Sequence, residues 1–359
     1  MYPQLVIDLR KLNDNLNALA SLAGQADCSL MIVTKSFCAD KRIAAEILKH
    51  DAVQYLADSR IQNIASYADM AHGAGKETVL LRLPMQSEAE EVVRHADVSL
   101  NSEIETIRLL DREAGRQGKT HKVLLMIDLG DLREGLFYQN EEEIFSVCEE
   151  ILRMRHIELF GIGTNLTCYG AIIPKPDNLG WLIDLAEKIE NRFHATLSMV
   201  SGGNSSSVYL IQKGELPGGI NNLRLGEAFI LGNETAYTNR IPGTHNDCVR
   251  LRAEIIECKE KPSLPIGEVG VDAFGLVPEY EDRGIITRAI LAVGKQDTDP
   301  DGLTPLDPGV DILGGSSDHL IADVSGTGHA LGGTLDFRLD YGAFLKLFTS
   351  PYVTRTYLE

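Results

Sequence analysis

The sequence has no long apolar run, no surplus of positive charge and no pair of cysteines spaced as C-x-x-C. A membrane-spanning helix needs about 20 consecutive apolar residues, and no apolar run approaches that length. Met1–Asp8 contains neither a basic nor an apolar signal region, so we expect no secretion signal. The net charge of −18 predicts no nucleic-acid partner and no anionic membrane surface, because both need a basic face. The negative surplus favours solubility, and attraction of a cationic substrate is the alternative.

The cysteines also exclude several classes of protein. They are scattered along the chain, at Cys28, Cys38, Cys148, Cys168, Cys248 and Cys258. Without closely spaced pairs, the sequence predicts neither a zinc ribbon nor a thioredoxin-type motif. Isolated cysteines in a chain of this length are typical of reduced thiols, so we expect a cytoplasmic protein without a metal site.

The first two thirds of the sequence alternate short apolar runs with segments of helical periodicity. The runs are Ser29–Thr34, Gln54–Ala57, Thr78–Leu83, Asp97–Leu100, Lys122–Asp128, Ile157–Gly163, Leu197–Ser201 and Asn222–Leu225. They are continuously apolar, as in parallel strands covered on both faces, whereas Asp40–His50 places its apolar residues on one helical stripe. About eight such units in about 230 residues predict an α/β fold, a (β/α)8 TIM-type barrel.

The composition and the hydrophobic pattern of the sequence change after about residue 235. Gly, Pro and Asp become frequent, as in Asp297–Asp311, and the apolar runs shorten. Val249–Ile256 and Thr334–Leu339 are bounded by turn residues, which is typical of antiparallel strands. We therefore expect a barrel over residues 1–235 and a C-terminal antiparallel β domain over 236–359, with residues 1–7 as a candidate extra strand of that domain.

Polar residues follow several predicted strands, at the end of a barrel where active sites lie. Lys35 ends the first strand, where its amine could form a Schiff base. Ser201–Ser206 precedes an apolar helix and offers N–H groups and hydroxyls to a phosphate, and Asn222–Gly226 offers a second approach. Each feature alone also fits an ordinary loop or strand end. Together, a lysine and a phosphate site indicate pyridoxal 5'-phosphate (PLP).

These residues resemble the alanine racemase-like group of PLP enzymes, whose fold type is a barrel followed by a β domain. The likeness is to the predicted amino-acid racemases that include ornithine racemase, and it covers nearly the whole chain. It rests on Ile7–Leu9, Thr34–Ser36, Asp128–Gly130, Arg133, Gly135, Gly161–Asn165, Gly203–Ser205, Arg224–Gly226, Ile312–His319 and Tyr341. The resemblance implies an isomerase that removes and returns the Cα proton of ornithine or another basic amino acid. It also implies a homodimer in which the β domain of one chain completes the partner's site.

The resemblance assigns roles to individual residues. Lys35 would bind PLP covalently and act as one acid/base, and Arg133 would contact the cofactor 3-oxygen and the substrate carboxylate. Asn165 lies where alanine racemases have a histidine near the cofactor ring. The residues implied to hold the phosphate are Asn204, Ser205, Gly226, Glu227 through its backbone, and Tyr341.

Arg224 is the residue that distinguishes racemisation from decarboxylation. By resemblance it would face the pyridine nitrogen, where decarboxylases of this fold type have a glutamate. An arginine does not readily give up its proton, so the nitrogen would stay unprotonated, which favours racemisation. A structural ion pair is the alternative interpretation of Arg224. A basic amino-acid decarboxylase and a non-catalytic PLP-homeostasis protein, which ends after its barrel, are the alternative functions.

The sequence departs from the family at the second acid/base. Alanine racemases use a tyrosine of the partner subunit in a V-G-Y-x-D setting, and Val293–Asp297 places Lys295 at that position. A racemase needs proton donors on both faces of a planar intermediate, so Lys295 is the candidate catalytic residue. The competing candidates are Cys38, Cys168, Ser317 and His319.

Asp318 is the candidate for substrate selection. It lies where decarboxylases of this fold type have an aspartate near the distal substrate amine, so with Ser317 it would bind the side-chain ammonium of ornithine or lysine. A turn aspartate after two serines is the alternative interpretation.

Overall fold

Seventeen strands run through the computed structural model, which describes residues 1–359. The first ten are β1 (Gln4–Asp8), β2 (Ser29–Val33), β3 (Val53–Asp58), β4 (Glu77–Leu80), β5 (Val98–Asn101), β6 (His121–Asp128), β7 (Leu136–Phe137), β8 (Ile157–Gly163), β9 (Met199–Ser201) and β10 (Asn222–Leu225). The others are β11 (Val249–Pro262), β12 (Ile285–Leu291), β13 (Leu303–Pro305), β14 (Asp311–Gly315), β15 (Leu320–Asp323), β16 (Thr334–Leu339) and β17 (Thr354–Leu358).

The chain also contains ten α-helices, nine of them before β11. They are α1 (Leu9–Gln25), α2 (Lys41–Leu48), α3 (Ile61–Gly73), α4 (Ala89–His95), α5 (Ile104–Gln117), α6 (Glu141–Arg153), α7 (Pro176–Phe193), α8 (Val208–Lys213), α9 (Glu227–Leu231) and α10 (Tyr341–Thr349). Helix α2 shows why these segments are helical. Asp40 Oδ1 accepts the N–H groups of Arg42 and Ile43 at 3.1 and 3.2 Å, which caps the first turn, and the apolar stripe of the helix is buried. None of the helices combines the length and the apolar character needed to cross a bilayer.

Residues Leu12–His245 form one compact unit, a closed parallel barrel. The strands pair in the order β5, β4, β3, β2, β10, β9, β8, β6, and pairing of β5 with β6 closes the ring. The barrel core contains Met31, Val33, Ala57, Val79, Val98, Leu100, Leu124, Met126, Phe160 and Met199. The expected (β/α)8 barrel is confirmed, since each continuous apolar run lies within or beside one of its strands.

Met1–Lys11 and Asn246–Glu359 form the second unit. Its main sheet is antiparallel, in the order β13, β16, β11, β12, β15, β14. Strand β1 pairs antiparallel with β11 and parallel with β17, so one pairing departs from the expected antiparallel pattern. Strand β11 continues six residues beyond the predicted end at Ile256, because its polar second half pairs with β12. The polar half of β11 could not be predicted from an apolar run.

The segment between residues 236 and 245 lies in the barrel unit, whereas the sequence-based boundary is at residue 235. Arg240 forms a bridge with Asn233, and the Ile241 N–H donates to Gly232 O at 2.9 Å. The His245 N–H donates to Asn15 Oδ1 at 2.6 Å. These bonds return the segment to the barrel, although its Gly- and Pro-containing sequence resembles the β domain.

Candidate active site

Lys35 lies directly after the first barrel strand, at the C-terminal end of the barrel. The Thr34 N–H donates to Ala57 O at 2.8 Å, and the Thr34 hydroxyl donates to Asp58 Oδ2 at 2.5 Å, so the end of β2 is held on β3. Thr34 already has helical dihedral angles (φ −92°, ψ −8°). The prediction that the strand runs to Lys35 was therefore wrong by two residues. Lys35 itself is exposed, so a fixed backbone presents an accessible amine.

Asp58 is a functional candidate that the sequence reading missed, although a carboxylate at a strand end could have revealed it. It is fully buried and forms no ion pair, and burial raises the pKa of this carboxyl despite the hydrogen bond from Thr34. Its Oδ1 accepts the Arg60 N–H at 2.9 Å and Asn63 Nδ2 at 3.1 Å. Asp58 thus joins the backbone beside Lys35 to the start of α3.

Arg224 lies on β10 with its guanidinium buried; the residue is 4% exposed. Nη1 donates to Ser201 Oγ at 2.6 Å, and Nη2 donates to Thr164 O at 2.6 Å and to Asn165 Oδ1 at 3.4 Å. These partners are neutral oxygens, so the alternative of a structural ion pair does not describe Arg224. Burial lowers its pKa to about 10, which leaves the guanidinium charged at neutral pH.

Three buried polar atoms near Arg224 and in the loop after β9 have no hydrogen-bond partner in the protein. They are Thr164 Oγ1, Asn165 Nδ2 and Ser206 Oγ. Each unpaired buried polar group costs about 1–3 kcal/mol, so such groups call for an explanation. Hydroxyl and amide donors in this setting fit a polar or anionic ligand such as a phosphate ester. The residues present therefore fit PLP.

The loop after β9 is bonded to the segment that follows β8. Asn204 Oδ1 accepts the Ser206 N–H at 2.8 Å, and Asn204 Nδ2 donates to Asn165 Oδ1 at 3.1 Å and to Leu166 O at 2.9 Å. Gly203 has φ +110°, a conformation that favours glycine. The side chain of Asn204 is therefore used within the protein, and its carbonyl accepts the Ser207 N–H at 3.0 Å, so its backbone N–H is the part available to a ligand.

Ser205 connects this loop to the end of β10. Its Oγ accepts the Ala228 N–H at 3.1 Å, in the first turn of α9. Gly226 precedes that helix and Glu227 begins it. Ser205 thus joins the loop after β9 to the start of α9, so the two segments that the sequence analysis offered for a phosphate site lie side by side.

Arg133 and Cys168 lie in the loops after β6 and β8. Arg133 forms an ion pair with its neighbour Glu134, and Cys168 Sγ accepts a hydrogen bond from Asn204 Nδ2 at 3.4 Å. The two loops are joined by Asp131, which is 1% exposed. Its carboxylate accepts three N–H groups at 3.0–3.3 Å, those of Thr167, Tyr169 and Ile172. No sequence pattern identifies Asp131, because a loop aspartate that binds distant backbone has no periodicity.

Lys295, Ser317, Asp318 and Tyr341 lie in the second unit. The Lys295 N–H donates to Ser316 O at 2.9 Å, so the loop after β12 pairs with the turn between β14 and β15. Ser317 and Asp318 are exposed in that turn, and Asp318 lines a cavity of about 470 Å³ together with His319, Gln296 and Asp297. Tyr341 begins α10, which Asp340 caps through the Ala343 N–H at 2.8 Å.

Two competing candidates for the second acid/base have distinct surroundings. Cys38 follows the short helix that Lys35 begins, in a left-handed conformation with φ 50°. His319 Nδ1 lies 3.5 Å from Ser316 Oγ.

All six cysteines are free thiols. No three His, Cys, Asp or Glu side chains are arranged to bind a metal ion.

Comparison with known proteins assigns this chain to one family. The sequence profile described as "Alanine racemase, N-terminal domain" matches residues 7–233. The ornithine racemase of Acetoanaerobium sticklandii is 51% identical over 360 aligned residues, covering 100% of both chains. The lysine racemase of Thermotoga maritima is 38% identical over 358 residues, covering 99% of both.

A solved structure agrees in fold. Alanine racemase from Bartonella henselae with covalently bound pyridoxal phosphate is similar with a TM-score of 0.71 and 16% identity, over 100% of both chains. The barrel, the sheet domain and the profile match define an alanine racemase-like protein. This chain belongs to the alanine racemase family, which confirms the resemblance seen in the sequence motifs.

Proposed function

We propose that ornithine is the preferred substrate of this chain, an amino-acid racemase for a basic amino acid, and that PLP is its cofactor. The observation that supports racemisation most directly is Arg224, a buried cation whose bonded partners are neutral oxygens. The choice of ornithine is supported by 51% identity over the whole chain to a protein named ornithine racemase. Lysine is the competing substrate, since a lysine racemase is also related.

The residues that would hold PLP lie mostly at the C-terminal end of the barrel. Lys35 would attach it covalently, Arg224 would face the ring nitrogen, Asn165 would lie near the ring, and Arg133 would contact the 3-oxygen. The phosphate would be held by Asn204, Ser205, Gly226, Glu227 and Tyr341. The unpaired Ser206 Oγ and Asn165 Nδ2 support this assignment, because a bound phosphate and ring would satisfy buried donors. When bound, PLP supplies an electron sink that makes the Cα proton of an amino acid removable.

The protein's own groups would move the proton. Lys35 would exchange it on one face of Cα and Lys295 on the other, because inversion requires an acid/base on each side. Arg133 would orient the substrate carboxylate, and Asp318 with Ser317 would bind the distal ammonium. Arg224 stays protonated, since burial lowers its pKa only to about 10. Because Arg224 would keep its proton, the ring nitrogen would stay unprotonated and the ring would withdraw electrons less strongly. Weaker withdrawal favours return of the Cα proton over loss of carbon dioxide.

The protein would act as a cytoplasmic homodimer in which the sheet domain of one chain completes the site of its partner. The segment between β11 and β12 supports this proposal, because Ile266, Val271, Leu276 and Val277 are all exposed, Ile266 at 90%. Apolar surface of this kind usually marks an interface. Six free thiols support a reducing compartment.

One experiment tests the reaction and its substrate together. The PLP-loaded enzyme is incubated in deuterium oxide with each of four L-amino acids: ornithine, lysine, arginine and alanine. Deuterium at Cα, chirality and carbon dioxide are then measured. We expect L-ornithine to racemise fastest, with deuterium in the D product and no carbon dioxide. Release of carbon dioxide would indicate a decarboxylase, and binding of PLP without any exchange would indicate a non-catalytic carrier.

A second experiment tests the lysine assignment. Borohydride reduction of the PLP-loaded enzyme, followed by proteolysis and mass spectrometry, should find the pyridoxyl group on the peptide containing Lys35. Lys295→Met should be labelled as strongly as the unmodified enzyme, and Lys35→Ala should not be labelled. A pyridoxyl group on another lysine would overturn the assignment.

A further inference from the structure

A tight turn in the segment between β11 and β12 lies beside Lys295. Asp272 Oδ1 accepts the N–H groups of Phe274 and Leu276 at 2.8 and 2.9 Å. The Asp272 N–H donates to Leu276 O at 2.7 Å, and the Gly275 N–H donates to Asp272 O at 3.0 Å. Four hydrogen bonds within five residues give the turn a defined shape, and one carboxylate oxygen of Asp272 takes no part in them.

That second oxygen and the neighbouring ring both contact Lys295. Lys295 Nζ lies 4.0 Å from Asp272 Oδ2 and 4.1 Å from the centre of the Phe274 ring. A carboxylate attracts an ammonium group, and a cation over an aromatic face is attracted by the ring quadrupole. Asp272 is a carboxylate at neutral pH, because the N–H donors of Leu276 and Phe274, and Lys295 to a smaller degree, lower its pKa.

The backbone of Lys295 is fixed independently of this turn. Its N–H bonds to Ser316 O, and Gln296 N–H bonds to Ser317 O at 3.0 Å. A Cβ at Gly294 would lie 2.3 Å from Ser317 O, so only glycine fits before Lys295. The backbone thus sets where the lysine side chain starts, and the turn contacts the amine where it ends.

We propose that Asp272 and Phe274 are positioning residues for Lys295, which hold its side-chain nitrogen in one place. The inference rests on the proposed role of Lys295 as the second acid/base. Neither residue needs to touch substrate or cofactor. Loss of either contact would leave Lys295 less well placed to deliver a proton, while Lys35 would still exchange protons on the opposite face of Cα.

The test compares Asp272→Asn with Glu279→Gln in the full-length, PLP-loaded enzyme. Asparagine keeps an acceptor for the turn but removes the charge, and Glu279 is an exposed carboxylate in the same segment. We expect Asp272→Asn to lower kcat for racemisation roughly fivefold, the effect of losing one partly exposed ion pair, with KM unchanged. One enantiomer should still exchange its Cα proton at the normal rate, because the Lys35 face is intact. Phe274→Leu should behave likewise, Phe274→Tyr should restore the rate, and Glu279→Gln should have no effect.

Lys295→Met separates this inference from the proposed function. If Lys295→Met stops racemisation but Asp272→Asn and Phe274→Leu racemise normally, the positioning role is wrong and the acid/base role of Lys295 stands. If Lys295→Met racemises normally, the acid/base role is wrong and the inference fails with it. Equal loss of exchange for both enantiomers in Asp272→Asn would also overturn the inference, since it would indicate general damage to the site.

Discussion

Arg224 Nη2 donates a hydrogen bond of 2.6 Å to the backbone oxygen of Thr164, so the guanidinium on β10 reaches past β9 to the end of β8. This contact joins β10, which bears Arg224, to the segment just after β8, where Asn165 lies. It also explains how an arginine can be buried without a carboxylate, because the guanidinium is solvated by protein oxygens. The position of Arg224 is therefore fixed by the barrel and not by a charged partner.

Arg224→Glu should replace a donor that keeps its proton with a carboxylate that would accept a hydrogen bond from a protonated ring nitrogen. We expect slower racemisation and measurable carbon dioxide release from L-ornithine, both absent from Arg224→Lys, which keeps the positive charge. The variant should also be less stable by about 1–3 kcal/mol, because Ser201 Oγ and Thr164 O lose a buried donor. Product analysis and chemical denaturation measure the two effects. Unchanged products in Arg224→Glu would mean that this residue does not choose the reaction.

Lys35→Ala should abolish racemisation without destabilising the fold. Lys35 is exposed, and exposed substitutions usually change the free energy of unfolding by less than about 0.5 kcal/mol. Racemisation of L-ornithine and thermal unfolding of the protein without cofactor measure the two effects. The nearby exposed lysine Lys41, on α2, supplies the control as Lys41→Ala, which should remain active. Activity retained in Lys35→Ala would remove this residue from the mechanism.

The sequence predicted most of the barrel because its signals are local. Strands buried on both faces leave continuous apolar runs, and the runs over Ile157–Gly163 and Asn222–Leu225 coincide with β8 and β10. Lys35 and the serine-rich loop were selected as candidates because active-site residues follow such strands. Asp131 and Asp272 could not be found in this way. Asp131 binds N–H groups 36 to 41 residues away, and Asp272 bonds within its own turn, so neither leaves a pattern that distinguishes it from other loop aspartates.

Asp131→Ala should loosen the loop that carries Cys168. Three N–H groups would lose a buried acceptor, at a cost of about 1–3 kcal/mol in unfolding free energy. Hydrogen exchange at residues 167–172 should become faster, while exchange in β6 stays slow. The control is Asp69→Ala, a carboxylate on α3 that belongs to a different part of the barrel. Unchanged protection of the loop would show that Asp131 is not what orders it.

Val277→Asp should weaken the proposed homodimer. A charge placed in an apolar interface loses its solvation, so we expect a shift toward monomer in analytical ultracentrifugation at micromolar concentration. Racemisation should fall with it, because the partner's sheet domain is proposed to complete the site. Leu152→Asp, at an exposed position on α6, is the control and should leave the mass unchanged. A wild-type chain that is monomeric and fully active would overturn the shared-site proposal.

His121 should give the protein a pH-dependent stability that is independent of the active site. It is 2% exposed at the start of β6, with Nε2 2.7 Å from Ser99 Oγ, and burial lowers its pKa to about 4. Between about pH 6.5 and 4 the unfolded chain binds a proton at this residue and the folded chain does not, so stability falls as pH falls through that range. His121→Gln should abolish this component, which amounts to about 3 kcal/mol for a shift of this size. Urea denaturation of both proteins at pH 7.5 and 4.5 measures it; an equal loss in both would show that His121 is not responsible.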